Sequence, residues 1–293
     1  MKLVLLGDLH IGDLHPPCRT DNYLETLRGK LYQIRKLQMS MDNPVVLQAG
    51  DVFDNWKQSP YVLTKAIEYL PDAMWCIPGQ HDLPQHNMKQ IERSAFQTVM
   101  ASEKCYFLDG LRIGDIRMEG FPWGSELKEP RECTNFNIAV MHISTWMKPY
   151  MPDQKPGHAK GLLDRATHMG WDLLVTGDNH ETFVVENEDG VLINPGSLMR
   201  MRANQIKHKP CVFTFDTEVG TYEQHFLDID RAAVTREHVE IEKAHKKRMN
   251  AFVESLKNTT EIGLSFEDNM DRFLEENEVP EPVVRELLNA MGR

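Results

Sequence analysis

The 293-residue chain has no long apolar run. Its N-terminal hydrophobic stretch is only Leu3 to Leu6, well short of the roughly 18 apolar residues that a membrane span needs or the h-region of a secretory signal. The expectation is therefore a cytoplasmic protein with no membrane contact. Cysteine is scarce. Cys18, Cys76, Cys105, Cys133 and Cys211 are odd in number, scattered and never paired at zinc-ribbon spacing, so they read as reduced and mostly buried. Positive charge is also short, with 33 Lys and Arg against 44 Asp and Glu, a net charge of -11. Such a surface repels polyanions as a whole, and a nucleic-acid partner would have to be gripped locally. Low-complexity tracts are lacking, and the 41% hydrophobic and 26% charged content is that of an ordinary globular chain.

What is present is alternation. Short runs rich in Val, Ile and Leu, over residues 2–6, 44–48, 73–77, 137–141 and 172–176, read as strands. Between them lie helical patterns. Residues 22–39 carry Leu24, Leu27, Leu31, Ile34 and Leu37 on one face, and further helices are expected over 60–70, 88–100 and 160–168. This order predicts an α/β sandwich. Hairpin signals follow, such as Asn187-Glu188-Asp189-Gly190. After residue 230 the chain turns charged and helical. The predicted division is therefore a domain over 1–230 and a helical segment over 231–293, serving as a cap or for partner docking.

Five of the strands run into chemistry-bearing residues. They lead to Gly7-Asp8-Leu9-His10, Gly50-Asp51-Val52-Phe53-Asp54, Gly79-Gln80-His81-Asp82, His142 and Gly177-Asp178-Asn179-His180. Ligands of open α/β sheets bind beyond the carboxyl ends of strands, so these side chains should converge. Carboxylates, imidazoles and an amide without thiolates suit two ions among manganese, iron, zinc and magnesium. A carboxylate shared between two such ions could hold a bridging hydroxide for attack on phosphorus. Taken singly, each piece is as readily a turn or helix cap; five behind separate strands point to a metal site. Gly-Asp-Leu-His occurs twice. Asp8 and His10 stand at the strand end, whereas Asp13 and His15 precede Pro16-Pro17 and are expected to border the site.

The ordered set Asp-x-His, Gly-Asp-x-x-Asp, Gly-Asn-His-Asp, His and Gly-His-x-His resembles the signature of the calcineurin-like metallophosphoesterases over roughly residues 1–230, and within them the SbcD-like DNA-repair exonucleases. The resemblance implies a four-layer αββα sandwich with a small helical C-terminal domain. It implies one metal on Asp8, His10, Asp51 and His180 and a second on Asp51, Gln80, His142 and Asp178, with Asp51 as the bridge. It further implies His81 as the residue that protonates the leaving oxygen or stabilises the transition state, oriented by Asp82, with a supporting role for Asp54. Gln80 replaces the family's Asn, and Asp178 replaces the first His of its last motif. Both changes shift the second site towards oxygen donors, hence towards manganese, with magnesium or iron as alternatives.

For the substrate, Ser197, Arg200 and Arg202, followed by Lys207-His208-Lys209, could hold a phosphate backbone. Trp123, Trp146 and Tyr150 could stack on bases or pack internally. The resulting expectation is a dinuclear DNA nuclease acting on single- or double-stranded DNA. The resemblance also suggests an SMC-like ATPase partner and a possible homodimer. The alternatives are a nucleotide phosphoesterase, or a weakened module that binds DNA or an ATPase.

Overall fold

The computed structural model describes residues 1–149, 157–258 and 266–291; Tyr150 lies outside them. The first sheet holds β1 (Lys2–Leu6), β2 (Val45–Gln48), β3 (Met74–Cys76) and β4 (Cys105–Phe107) in parallel. It is completed by β11 (Cys211–Asp216) and β12 (Thr221–Phe226), in the order β12-β11-β1-β2-β3-β4. The second sheet has β5 (Gly110–Ile113), β6 (Ile116–Phe121), β7 (Phe136–His142), β8 (Leu173–Gly177), β9 (Phe183–Glu186) and β10 (Val191–Asn194), in the order β5-β6-β7-β8-β10-β9. The Asn187–Gly190 turn joins β9 to β10 as an antiparallel pair.

Four layers follow from which face each residue buries. Leu3 and Leu5 of β1 and Leu47 of β2 meet Ile138, Val140 and Val175 between the sheets. Alternate residues Val4, Leu6 and Val46 face outward onto α1 (Tyr23–Met39), α2 (Pro60–Tyr69) and α3 (Ala95–Ala101). On the far side, Ala139, Met141 and Leu174 pack on α4 (His158–His168). Central strands buried on both faces read as unbroken apolar runs, which is how they stand out in the sequence. Helix α1 starts as expected, with Asn22 accepting from the Glu25 N–H. The single helix expected over 88–100 is broken: Met88–Arg93 is a 3₁₀ turn, and α3 begins afresh after Ser94, whose hydroxyl caps Gln97 N–H.

The first compact unit is Met1–Arg236, a little beyond the boundary expected at 230. Residues just past that point are tied back by main-chain bonds from Thr20 N–H to Ala233 and from Thr235 N–H to Cys18. The second unit, Glu237–Arg293, contains α5 (Glu237–Asn258), α6 (Phe266–Glu276) and α7 (Glu281–Ala290), with Phe252 and Phe273 in edge-to-face contact and Met270 buried. Among the described residues no helix is long and apolar enough to cross a membrane.

Candidate metal centre

The loop after β1 is bound to the loop after β2 through the main chain and to the loop after β8 through the Asp8 carboxylate. Leu9 and His10 N–H both donate to the Asp51 carbonyl, and Ile11 N–H donates to Val52. Asp178 N–H donates to Asp8 Oδ1 over 3.1 Å. His10, Asp51 and Asp178 all have positive φ, at 47°, 54° and 72°. Non-glycine residues take this conformation at a cost, and it concentrates at functional sites. Two glycines permit the crowding. A Cβ on Gly50 would fall 2.2 Å from His142 Nδ1, and one on Gly79 would fall 2.1 Å from Asp51 Oδ1.

Three groups of potential ligands result: Asp8, His10 and His180; Asp51, His142 and Asp178; and His10, Asp54 and His81, which shares His10 with the first. In the first, His180 Nε2 lies 3.1 Å from His10 Nε2 and 3.3 Å from Asp8 Oδ2. In the second, His142 Nε2 lies 3.4 Å from Asp51 Oδ2 and 2.7 Å from Gln80 Oε1, while Gln80 Nε2 donates to Asp178 Oδ1 at 2.5 Å. Asp51 Oδ2 is also 3.9 Å from His10 Nε2, so this one carboxylate stands between the groups.

The donor atoms fit divalent cations. His142 Nδ1 donates to the Ala49 carbonyl at 2.6 Å and the protonated ring donates from Nε2 to Gln80 Oε1, so loss of that one proton would turn Nε2 into a ligand already held in place from behind. Asp8 Oδ2 and His10 Nδ1 are buried with no well-formed hydrogen bond, facing His180 Nε2 at 3.3 Å and Asp54 Oδ1 at 3.5 Å respectively, an arrangement that a cation would complete. The electrostatics agree. Burial would lower His142, but Asp51 outweighs it and pushes the ring up to about 10. Burial likewise works against His10, yet Asp54, Asp51 and Asp8 raise it. Asp51 is held low, against its own burial, by His142. The pocket thus stabilises positive charge wherever it can obtain it.

His81 is exposed. Its N–H donates to Asp51 Oδ1 at 2.9 Å, and its Nδ1 donates to the Asp54 carbonyl at 2.7 Å, leaving Nε2 free. The expected pairing of Asp82 with His81 is corrected here. Asp82 is wholly buried and its carboxylate accepts from Val52, Phe53 and Gly79 N–H groups. It binds the β2 and β3 loops together instead. Burial, then the nearby Asp51, pushes its carboxyl up to about 7. Asp13 and His15 are exposed and belong to none of the ligand groups.

A cleft of about 760 Å³ opens from Asp51, His81, Asp178 and His180 to Arg202, Lys207 and Lys209. Of the three residues expected to hold substrate, Arg202 lines this cleft. Ser197 and Arg200 do not. Ser197 is buried and donates to the Met199 carbonyl, and Arg200 is 4% exposed with its guanidinium bound to the Ile206 and Asp230 carbonyls. Both brace the loop that carries the cations. Phe226 and Gln224 of β12 line the cleft as well, and went unread because a short, mostly polar edge strand carries no distinctive signal.

The calcineurin-like phosphoesterase superfamily domain model matches residues 1–219. Searching curated protein sequences finds no match. Among solved structures, an archaeal phosphodiesterase is 17% identical, covering 78% of this chain and 100% of its own, with a TM-score of 0.43. A metallophosphoesterase from Sphaerobacter thermophilus is 11% identical over 78% and 90%, with a TM-score of 0.40. Zinc-bound Vps29 from Entamoeba histolytica is 13% identical over 78% and 100%, with a TM-score of 0.39. The family match spans most of the chain and covers all three ligand groups, and the chain belongs to the calcineurin-like phosphoesterase superfamily.

Proposed function

We propose that this phosphoesterase is a DNA phosphodiesterase, a nuclease of the SbcD-like kind. The observation that carries the reading is the cleft. On a chain of net charge -11, Arg202, Lys207 and Lys209 gather along the groove that leads from the ligand groups. A single phosphate needs no such wall, whereas a polynucleotide backbone presents successive anions to it.

Asp8, His10, Asp51 and His180 would hold one cation, and Asp51, Gln80, His142 and Asp178 the other. Two divalent ions, manganese in this reading, with magnesium or iron as alternatives, would polarise the phosphoryl oxygen and supply an activated water. Asp51 sets the spacing between the groups from its strained backbone. Gln80 is turned by its bond to Asp178, so its carbonyl oxygen faces inward beside His142. His81, with Nδ1–H committed to the Asp54 carbonyl, lines the cleft, and in its imidazolium form it can give the Nε2 proton to the departing oxygen and leave as the neutral Nδ1–H tautomer. Arg202, Lys207 and Lys209 hold the flanking phosphates.

The test is hydrolysis of end-labelled single- and double-stranded DNA in manganese, magnesium or EDTA, with His81→Ala alongside. Cleavage that needs manganese and drops about 10²–10⁴-fold in the variant, with metal content intact, is expected. A collapse of metal content in His81→Ala would overturn the role given to His81. A second reading, a mononucleotide phosphoesterase, is favoured by the cleft's volume, which could enclose one nucleotide. It requires turnover of nucleotides but not DNA, indifferent to Arg202→Ala.

A further inference from the structure

The stretch that follows His81 is built with more strain than a connecting loop requires. Leu83 and Pro84 are buried, and the next two residues, Gln85 and His86, both take positive φ, at 52° and 55°. Two consecutive non-glycine residues in this region are costly, and such strain persists only where the surroundings enforce it. Here the bend returns the His86 side chain to the catalytic loop, where Nδ1 donates to the Gln80 carbonyl at 3.1 Å. From another element, the loop after β6, Trp123 N–H donates to the Pro78 carbonyl at 3.2 Å. The two rings meet with centroids 5.5 Å apart and planes inclined at 45°. His86 is exposed and Trp123 is 39% exposed. Trp146, by contrast, lies flat on His158 at 4.1 Å, so its face is already covered.

Neither Trp123 nor His86 lines the cleft, but both are fastened to the segment that supplies Gln80 and His81 to it. Both are thus tied by hydrogen bonds to the segment that carries two of the cleft's lining residues. We propose that Trp123 and His86 form a nucleobase-stacking subsite, holding the base of a nucleotide adjacent to the scissile phosphodiester. This rests on the DNA reading above. A base fits because its flat π-face matches an exposed indole and every base has one, which gives grip without sequence preference. The phosphates of the same strand would meet the cationic wall, and the scissile one the cations that the ligand groups would hold; the subsite supplies what those charges cannot, a contact to the base.

The experiment uses the full chain in EDTA, so that no cleavage occurs, and follows fluorescence anisotropy of two labelled single strands: a short thymidylate oligonucleotide and an abasic one of the same length and charge. The wild type should prefer the thymidylate strand. Trp123→Ala should weaken binding to it about fivefold or more, the lower end of what stacking on an aromatic side chain contributes, and leave abasic binding unchanged. His86→Ala should act in the same direction, and Trp123→Phe, which keeps a ring, should retain most of the affinity. Thermal melting of each variant identifies any that fails to fold, in which case the remaining two decide. Equal binding of the two strands by the wild type, no binding of either, or equal losses on both strands in the variants would overturn the subsite. Base-dependent binding without cleavage would keep the subsite and remove the nuclease reading. Cleavage without base dependence would do the reverse.

Discussion

Two groups of the candidate metal centre, Asp8–His10–His180 and Asp51–His142–Asp178, differ in how their inward atoms are partnered. Asp8, His10 and His180 are held from behind by main-chain bonds, and their inward atoms face one another: two imidazole nitrogens at 3.1 Å and an Asp8 oxygen 3.3 Å from His180 Nε2. Asp51, His142 and Asp178 are joined by Gln80, whose amide bonds to both His142 and Asp178. The first group faces its own members, whereas the second is cross-linked by the Gln80 amide. Gln80 and Asp178 are also the two positions that depart from the family pattern, and they are hydrogen-bonded to each other. A longer amide and a shorter acid complement one another across the second site.

The largest effect should come from removing what the groups share. Asp51→Asn is expected to lower bound metal at both positions and to reduce phosphodiesterase activity by more than about 100-fold, since even outer-shell partners of metal ligands are worth about 10–100-fold. Metal content by elemental analysis together with turnover of a generic phosphodiester checks this. Loss of only one equivalent would break the idea of a shared carboxylate. Next comes the contrast between the groups. His180→Ala should lose its metal outright, whereas Gln80→Leu should weaken the second site about 10-fold without emptying it, because Asp51, His142 and Asp178 remain. Calorimetric metal titrations that show the same loss in both variants would erase the distinction.

A pH experiment sharpens the comparison further. In EDTA, His142 is raised by Asp51 from its ordinary value near 6.5 to about 10. That pair therefore contributes its full stability below about pH 6.5, and the contribution is lost as pH climbs through 10. Metal binding runs the opposite way, because His142 must be free of its proton to act as a ligand. The gap in melting temperature between metal-loaded and EDTA-treated protein should widen from pH 6 to pH 9; a constant gap would remove His142 from the ligand set. The smallest effect is expected at the cleft wall. Arg202→Ala with Lys207→Ala should weaken DNA binding severalfold, flatten its salt dependence by about two phosphate contacts, and leave hydrolysis of a small chromogenic diester untouched.

Much of this was legible in the chain itself. Strands buried on both faces betray themselves as apolar runs, so β1, β2, β7 and β8 lie within a residue or two of where the pattern puts them. The break at Ser94 did not show, because the apolar periodicity continues across a residue whose hydroxyl starts a new helix. Asp82 was misread for a different reason. Neighbouring residues on a tight turn point in different directions, and only the fold shows that Asp82 turns inward to three N–H groups while His81 turns out to the cleft. Arg200 looked like Arg202 in sequence, yet its donors are taken by carbonyls of Ile206 and of Asp230, 30 residues away.

The sequence alone determined the types of donor, their order along the chain and their place after apolar strands, since those depend on local composition and period. Tertiary structure decided which donors meet. Asp51 stands between two groups, Gln80 is tied to Asp178, and Lys207 faces the cleft while Arg200 is buried, through contacts between residues far apart in sequence and through strained backbone angles that only the packed loops can hold.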